Sequence, residues 1–304
     1  MLANHIYQRK EVVDNYNKTR DMPTRSLYNW LNKIIENYVL LNPKKDIKFL
    51  EVGVGTGMIS FPIIDILSRK ANRWLFYGVD NSKNMLKVFV DNLKTKNVYK
   101  TFYNRIKILY GDIEKEPALP NRKFDFILLG GVLHCLKNPE RTLKFLKSKL
   151  KKNGILIIII EPDSFIKLIA GDIEKDGKYY NQNIPKWIIM FWKTYHHHRH
   201  DLNSPIDKRT ELIYSVKKVK NIVNSIGGLS YLGYKDLVWS KNISADYFID
   251  IIRKRLYFAI GQNLSKSKAI RLAHQMKFWL RKNKNCKDFS FLCVRRGLLW
   301  KRIF

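Results

Sequence analysis

Three glycines stand at alternate positions, Gly53, Gly55 and Gly57, and Glu51 precedes them by two residues. Residues without side chains let the backbone turn tightly and approach a ligand closely. Free N–H groups at the start of a following helix could then face that ligand. The nicotinamide-binding pattern G-x-G-x-x-G is incomplete, because Ser60 stands where its third glycine belongs. The segment predicts a ligand-binding turn, with an ordinary tight turn as the alternative.

Two further acidic residues follow the next apolar segments along the chain. Asp80 follows residues 74–79, and Asp112 follows residues 106–110 after one glycine. A carboxylate at such a strand end can accept hydrogen bonds from both hydroxyls of a ribose, which makes Asp80 a candidate nucleoside ligand. The alternative is that Asp80 only caps the next helix, for which Ser82 is a plausible N-cap.

The elements that must position these residues alternate between apolar runs and helical patterns, in units of about 30 residues. Such alternation predicts a parallel, doubly wound sheet, and the unbroken run Ile155–Ile160 fits a strand buried on both faces. A turn is predicted at Asn153-Gly154. The predicted strands are 47–54, 74–79, 106–110, 124–129, 155–160, 231–239 and 289–294. The predicted helices are 28–41, 58–71, 82–93, 139–150, 216–226, 245–260 and 266–282. Between residues 163 and 209 the pattern breaks in a stretch rich in Trp, Tyr and His.

In their order along the chain, these landmarks resemble the class I S-adenosylmethionine-dependent methyltransferases. Residues 51–57 are similar to motif I, E/D-x-G-x-G-x-G, residues 80–86 to the second motif and residues 124–134 to the fourth. The resemblance implies S-adenosylmethionine as the cofactor. The cofactor-binding residues that it implies are Tyr16, Arg20, Glu51, Gly53, Gly55, Gly57, Asp80, Asn81, Asp112, Ile113 and Gly130.

Individual roles follow from the same resemblance. Asp112 would hydrogen-bond the adenine amino group, Ile113 would pack on the ring, and the backbone at Gly130 would face the methionine part. Tyr16–Arg20 is similar to a Y-D-x-x-R segment of small-molecule members, although Asn17 replaces its Asp. Tyr16 would then cover the cofactor and Arg20 would pair with its carboxylate. Surface positions on an N-terminal helix are the alternative for both.

The implied fold is α/β, a doubly wound, mostly parallel seven-stranded sheet with helices on both faces and helical substrate-covering insertions. Residues 1–45 would form N-terminal cap helices, and residues 46–162 the Rossmann-like core that binds the cofactor. Residues 163–210 would be a substrate-covering insertion. Residues 211–304 would supply strands six and seven, with a helical insertion at about 245–284.

The sequence evidence for catalytic and substrate-binding residues is less specific than that for the cofactor-binding residues. His134 follows the fourth strand and could act as general base, because histidine titrates near neutrality; a packing role is the alternative. Arg253 and Tyr257 are candidate contacts to an anionic substrate, with solvated helix charges and a core tyrosine as the alternative. His196 is a candidate catalytic or substrate-contacting residue, with an ordinary surface or packing histidine as the alternative. His196 and His200 have the i, i+4 spacing of metal ligands, but the Lys/Arg-rich surroundings disfavour a cation, so no metal site is predicted.

The net charge of +31 suggests either an anionic partner or the codon bias of an A/T-rich genome. The basic residues form no continuous arm, so nucleic acid is disfavoured as a partner beyond non-specific attraction. Three cysteines without CxxC spacing and the absence of a long apolar segment predict a cytoplasmic protein with no membrane partner. The oligomeric state is left open.

The predicted function is methyl transfer by in-line displacement to an O, N, S or C atom of a small molecule, with an anionic acceptor suited to the basic candidates. The alternatives are a nucleic-acid methyltransferase and an S-adenosylmethionine-binding protein without transfer activity. No N/D-P-P-Y or S-P-P-F motif of base-methylating enzymes occurs in the chain.

Overall fold

A computed structural model describes residues 7–20, 22–40, 46–95, 101–115, 119–161, 185–202, 215–255, 264–283, 286 and 288–304. The chain divides into two compact units, and each is described by itself. The sheet unit comprises Met22–Pro162, Tyr214–Leu237 and Arg295–Phe304. The helical unit comprises Met1–Asp21, Asp163–Ile213 and Val238–Val294.

The strands form one seven-stranded sheet in the order β3-β2-β1-β4-β5-β7-β6. Strands β1 to β5 are parallel where they pair, and β7 runs antiparallel to β5. This sheet confirms the predicted fold class. The strands are β1 (Asp46–Val52), β2 (Arg73–Asp80), β3 (Ile106–Tyr110), β4 (Phe124–Gly130), β5 (Leu150–Ile160), β6 (Leu229–Ile243) and β7 (Phe289–Arg302).

Nine helices are assigned among the described residues. They are α1 (Lys10–Arg20), α2 (Thr24–Leu40), α3 (Ser60–Lys70), α4 (Lys83–Lys94), α5 (Pro139–Lys149), α6 (Lys186–Asp201), α7 (Val216–Ser225), α8 (Ala245–Lys254) and α9 (Lys266–Lys282). Side chains that accept from backbone N–H groups fix several starts. The predicted cap at Ser82 is confirmed, because its hydroxyl accepts from Met85 N at 3.2 Å.

The core of the sheet unit lies along the central strands. Six of the seven residues of β4 are buried, as expected for a strand covered on both faces, and Asp125 is the one charged residue among the six. The ring of Phe49 on β1 stacks on Phe126 of β4 at 5.2 Å and on Phe76 of β2 at 6.1 Å. These contacts hold the three strands whose carboxyl ends carry the glycine turn, Asp80 and Gly130.

The structure corrects several predicted boundaries. The turn expected at Asn153-Gly154 lies inside β5, which begins at Leu150 and accommodates Asn153 at φ 63°. Strands β6 and β7 extend beyond the predicted segments, because both continue through polar residues. Helix α8 ends at Lys254, since Arg255 adopts the left-handed conformation at φ 54°. Residues 256–260, predicted as its continuation, lie outside the described part of the chain.

The helical unit has its own apolar core, built mainly by α6, α8 and α9. Aromatic rings dominate it: Phe248 lies 5.4 Å from Phe191 and 5.2 Å from Trp192. Helix α6 lies within residues 163–210, where the resemblance implied a helical insertion without giving its bounds, and it places its aromatic residues on this buried face. None of the described helices is long and apolar enough to cross a membrane.

Candidate active site

The glycine turn joins β1 to α3 in the sheet unit. Gly53, Gly55 and Gly57 have φ values of 75°, 53° and 93°, which L residues with side chains rarely adopt. A Cβ added at Gly53 would lie 2.1 Å from Val132 Cγ2, and one at Gly57 would lie 2.5 Å from Phe61 Cζ. The shape of this turn therefore depends on the three glycines.

Asp80 lies at the carboxyl end of β2 and connects to the glycine turn. Its Oδ2 accepts a hydrogen bond from Gly55 N at 2.9 Å, and its Oδ1 accepts one from Ser82 N at 2.8 Å. Burial raises the pKa of Asp80, and the backbone N–H donors oppose that rise. Helix α4 is capped by Ser82, so capping does not account for the position of Asp80. The hydrogen bond from Gly55 N therefore holds the glycine turn against the carboxylate of Asp80.

Glu51 is the second buried carboxyl group of this region. It is 1% exposed, and the hydroxyl of Ser60 donates to its Oε2 at 2.7 Å. Burial raises the pKa of Glu51 to about 8, the bond from Ser60 opposes this rise, and the nearby charge of Asp80 adds to it. Gly130 lies alongside, since a Cβ added there would be 3.9 Å from Glu51 Oε1. Two buried carboxyl groups at adjoining strand ends would favour a cationic ligand.

The raised pKa of Glu51 predicts a pH-dependent stability. Between the ordinary pKa of about 4.5 and the folded value of about 8, the folded chain binds a proton that the unfolded chain has released, so stability falls as the pH rises through this window. Glu51→Gln removes this titration and keeps an oxygen that can accept from Ser60. We expect the variant to melt several degrees above the wild type at about pH 8.5 and within a degree or two of it at about pH 5.

The control for this measurement is Glu36→Gln on α2. The hydrogen bond from Lys70 lowers the pKa of exposed Glu36, so its stabilising contribution is present at neutral pH and is lost as the pH falls. The two glutamate variants should therefore differ in the direction of their pH dependence. Equal melting curves for Glu51→Gln and wild type at about pH 8.5 would contradict a raised pKa at Glu51.

Other predicted cofactor residues lie at the same edge of the sheet unit. Strand β3 ends at Tyr110, which pairs in register with Asp80, and Gly111 N donates to Asp80 O at 3.0 Å. Asp112 follows, and its Oδ1 accepts from Glu114 N at 3.1 Å. Ile113 is 6% exposed and belongs mainly to the core. The structure thus brings Asp80 and Asp112 to adjoining strand ends.

Tyr110 is a candidate that sequence reasoning missed. Its ring is 58% exposed at the end of β3, and Lys83 Nζ lies 5.0 Å from the ring centroid. In the sequence, the indication was an aromatic residue at the last position of the predicted strand 106–110. An exposed ring at this edge could stack on a planar ligand.

His134 and Asn81 also lie in the sheet unit. His134 is half-buried in the short 3-10 turn Leu133–Cys135 that follows β4. Asn81 directly follows Asp80 and is half-buried between β2 and α4. His134 is therefore close in sequence to the carboxyl end of β4, and Asn81 to that of β2.

The remaining candidates belong to the helical unit. Tyr16 is half-buried on α1 with its ring 6.1 Å from that of Tyr7, and the side chain of Arg20 lies outside the description. His196 is on α6. Exposed Arg253 pairs with Asp250, one turn earlier on α8, as expected for a solvated helix charge. Tyr257 lies outside the described residues.

Within the part of the chain that is described, no three His, Cys, Asp or Glu side chains converge as metal ligands.

Arg199 is a buried charge that sequence reasoning also missed. It is 1% exposed on α6, and its Nη1 donates to the hydroxyl of Tyr195 at 3.2 Å. Burial raises the pKa of Tyr195 to about 12, although the charge of Arg199 opposes the rise. In the sequence, the indication of this pair is the i, i+4 spacing of Tyr195 and Arg199 within an aromatic-rich segment, which places both on one helix face.

The fold and the glycine turn define a class I S-adenosylmethionine-dependent methyltransferase. The family described as a methyltransferase domain matches residues 43–226, more than half of the chain. The chain belongs to this family, whose methyl donor is S-adenosylmethionine.

Comparison with individual proteins gives more distant similarities. Fusarielin synthase FSL1 of Gibberella zeae is 27% identical over 167 residues, which are 53% of this chain and 6% of that protein. The chain thus matches only a small part of that synthase. The YcgJ protein from Bacillus subtilis has a TM-score of 0.52 at 15% identity, over 90% of this chain and 98% of that one. The plantazolicin methyltransferase BamL has a TM-score of 0.51 at 11% identity, over 99% and 96%. These two structures share the fold.

Proposed function

We propose that the chain transfers a methyl group from S-adenosylmethionine to a small-molecule acceptor. The observation that carries this proposal is the bond between Asp80 and Gly55 N, which joins the glycine turn to a buried carboxylate at the carboxyl ends of β1 and β2. A sulfonium is an activated electrophile, so an O, N, S or C nucleophile displaces the methyl group in line. The protein aligns the reactants and excludes water.

The residues of the sheet unit fit the donor chemically. The two carboxylate oxygens of Asp80 accept from Gly55 N and Ser82 N, and a carboxylate has about four acceptor positions, so capacity for ribose hydroxyls remains. The buried carboxyl groups of Glu51 and Asp80 suit the positive charges of the donor. Asp112 and Ile113 are proposed to contact the adenine, and the backbone at Gly130 the methionine part.

Further residues complete the proposed site. Asn81 would adjoin the nucleoside, Tyr16 would cover the cofactor and Arg20 would pair with its carboxylate. His134 would accept a proton from those acceptors that must lose one. His196, Arg253 and Tyr257 are proposed substrate contacts, which suit an anionic acceptor. Segments 163–210 and 245–284 are proposed to cover the substrate.

The small-molecule acceptor is supported by the relatives. Fusarielin synthase and the plantazolicin methyltransferase are both named for small-molecule products. The experiment supplies methyl-labelled S-adenosylmethionine to the full chain together with either a metabolite extract or total RNA. Label is expected in the metabolite fraction, and at a donor concentration near the wild-type Kd it is expected to be strongly reduced with Asp80→Ala. Label recovered only in RNA would overturn the proposed acceptor class, and no transfer in either arm would favour binding without transfer.

The salt dependence of RNA binding tests the same point independently. A protein that neutralises 6–10 phosphates loses roughly 10³–10⁵ in affinity between about 50 and 200 mM salt. We expect only weak, sequence-independent binding, near ~10⁻⁴–10⁻⁶ M at physiological salt, because the basic residues are scattered over helices and strands. Fluorescence anisotropy with tRNA fragments measures it. A nanomolar complex at about 150 mM salt would instead favour the nucleic-acid methyltransferase.

A further inference from the structure

The sheet unit contains a cleft of about 500 Å³ that the proposed active site does not use. One wall is the face of α2 that carries Lys33, Ile34 and Asn37, and the floor includes Ile155 of β5 and Leu299 of β7. The size is within the range of small-molecule sites, roughly 300–1,000 Å³.

The cleft lies at the opposite end of the strands from the glycine turn. Ile155 pairs with Phe126 near the start of β4, whereas Gly130 at the end of β4 pairs with Ile159. Four residues of extended strand separate the two levels, roughly 13 Å at 3.3 Å per residue. A ligand of this cleft is therefore distinct from the methyl donor.

Three lysines line the cleft: Lys33 on α2, Lys235 on β6 and Lys301 on β7. Each is exposed, and none forms a salt bridge with a carboxylate among the described residues. Trp30 Nε1 donates to the carbonyl oxygen of Lys235 at 3.1 Å, which anchors β6 to α2 beside the cleft. Three lysines therefore line one concave surface.

The carboxylates near the cleft form salt bridges with basic residues other than these three lysines. Glu36 on α2 pairs with Lys70 at 2.7 Å, and Asp236, next to Lys235, pairs with Arg296 at 2.7 Å. Asp125, which accepts from the hydroxyl of Tyr38 in the wall, pairs with Lys151 at 2.7 Å. Because these pairs satisfy the local acids, the three lysines leave the cleft with a positive potential.

Apolar surface dominates beneath the lysines. Ile34, Ile155 and Leu299 are 8–9% exposed and form the floor, and Leu232 at the rim is 53% exposed. The side-chain amides of Asn37 and Asn153 line the cleft as well and can donate to an anion. Such a surface provides apolar contacts for the hydrophobic part of a ligand and lysine and amide hydrogen-bond donors for an anionic group.

We propose that this cleft binds a soluble small molecule that combines an anionic headgroup, a phosphate or a carboxylate, with an apolar body. The lysines contact the headgroup, and the floor formed by Ile34, Ile155 and Leu299 contacts the apolar part. The site acts independently of methyl-donor binding, because it uses a different end of the sheet.

Calorimetric titration of the full chain with monomeric decyl phosphate tests the proposal. The triple variant Lys33→Gln, Lys235→Gln, Lys301→Gln should weaken binding by about tenfold or more, since charge-assisted hydrogen bonds are lost. The matched control is Lys87→Gln, Lys107→Gln, Lys144→Gln, three exposed lysines of the same unit that do not line the cleft. The control removes the same net charge and should bind within about twofold of the wild type.

Three probes separate the headgroup from the tail. Inorganic phosphate and decyl maltoside should each bind at least tenfold more weakly than decyl phosphate. Octyl phosphate should bind roughly tenfold more weakly, since two methylenes are removed from apolar contact. The proposal is overturned if both triple variants lose affinity equally, if inorganic phosphate binds as well as decyl phosphate, or if decyl phosphate does not bind. S-adenosylmethionine affinity should be unchanged in the cleft variant, so failure here leaves the proposed function standing.

Discussion

The affinity of the chain for S-adenosylmethionine is expected to fall by about tenfold or more when Asp80 is replaced by alanine. Charge-assisted hydrogen bonds to ribose hydroxyls contribute about 1.5–3 kcal/mol each, so the loss of two is a large effect. The substitution also removes the acceptor of Gly55 N and so releases the glycine turn. Isothermal titration calorimetry of the folded variant measures the change.

A matched variant separates this effect from a general loss of charge. Asp65→Ala removes a carboxylate of α3 that pairs with Arg69 at 3.0 Å on the exposed face of the same unit. Its affinity for the methyl donor should equal that of the wild type. If folded Asp80→Ala bound as tightly as Asp65→Ala, the role assigned to Asp80 would be wrong.

Replacing Gly55 by valine is expected to abolish binding of the methyl donor. The residue has φ 53°, where a β-branched side chain costs about 1–2 kcal/mol or more, and a valine would stand where the backbone must approach the ligand. We therefore expect moderate destabilisation together with complete loss of binding. Melting curves and calorimetry on the same preparation separate the two effects.

Gly227→Val is the matched control for backbone strain. Gly227 has a similar φ of 60°, and nothing lies within 4 Å of a Cβ added there. It follows α7, away from the glycine turn in the sequence. The control should be destabilised to a similar degree and still bind the donor. Normal binding by Gly55→Val would show that the turn does not hold the ligand.

The sheet and its polar strand ends could be predicted from the sequence for a physical reason. Parallel strands buried on both faces are expected to be apolar without alternation, and residues 155–160 show that pattern. Asp80 stands out because it ends such a run, whereas Glu51 is indicated by its spacing to Gly53, Gly55 and Gly57. The bond from Gly55 N to Asp80 could not be predicted, because it depends on the register of β1 against β2.

The bounds of helix α6 and the basic cleft required the structure. In α6 the buried face holds Trp187, Phe191 and Trp192, and the aromatic and histidine-rich composition concealed its helical periodicity. Arg199 lies on that same face, although a charge is normally expected in solvent. The cleft is assembled from α2, β5, β6 and β7, so no local sequence pattern indicates it.

Titration of the full wild-type chain with S-adenosylmethionine tests the central claim most directly. We expect saturable binding of one molecule per chain, competed by S-adenosylhomocysteine and unaffected by the nicotinamide dinucleotide, whose G-x-G-x-x-G pattern is incomplete in this turn. Absence of saturable binding, or displacement of the ligand by the nicotinamide dinucleotide, would contradict it.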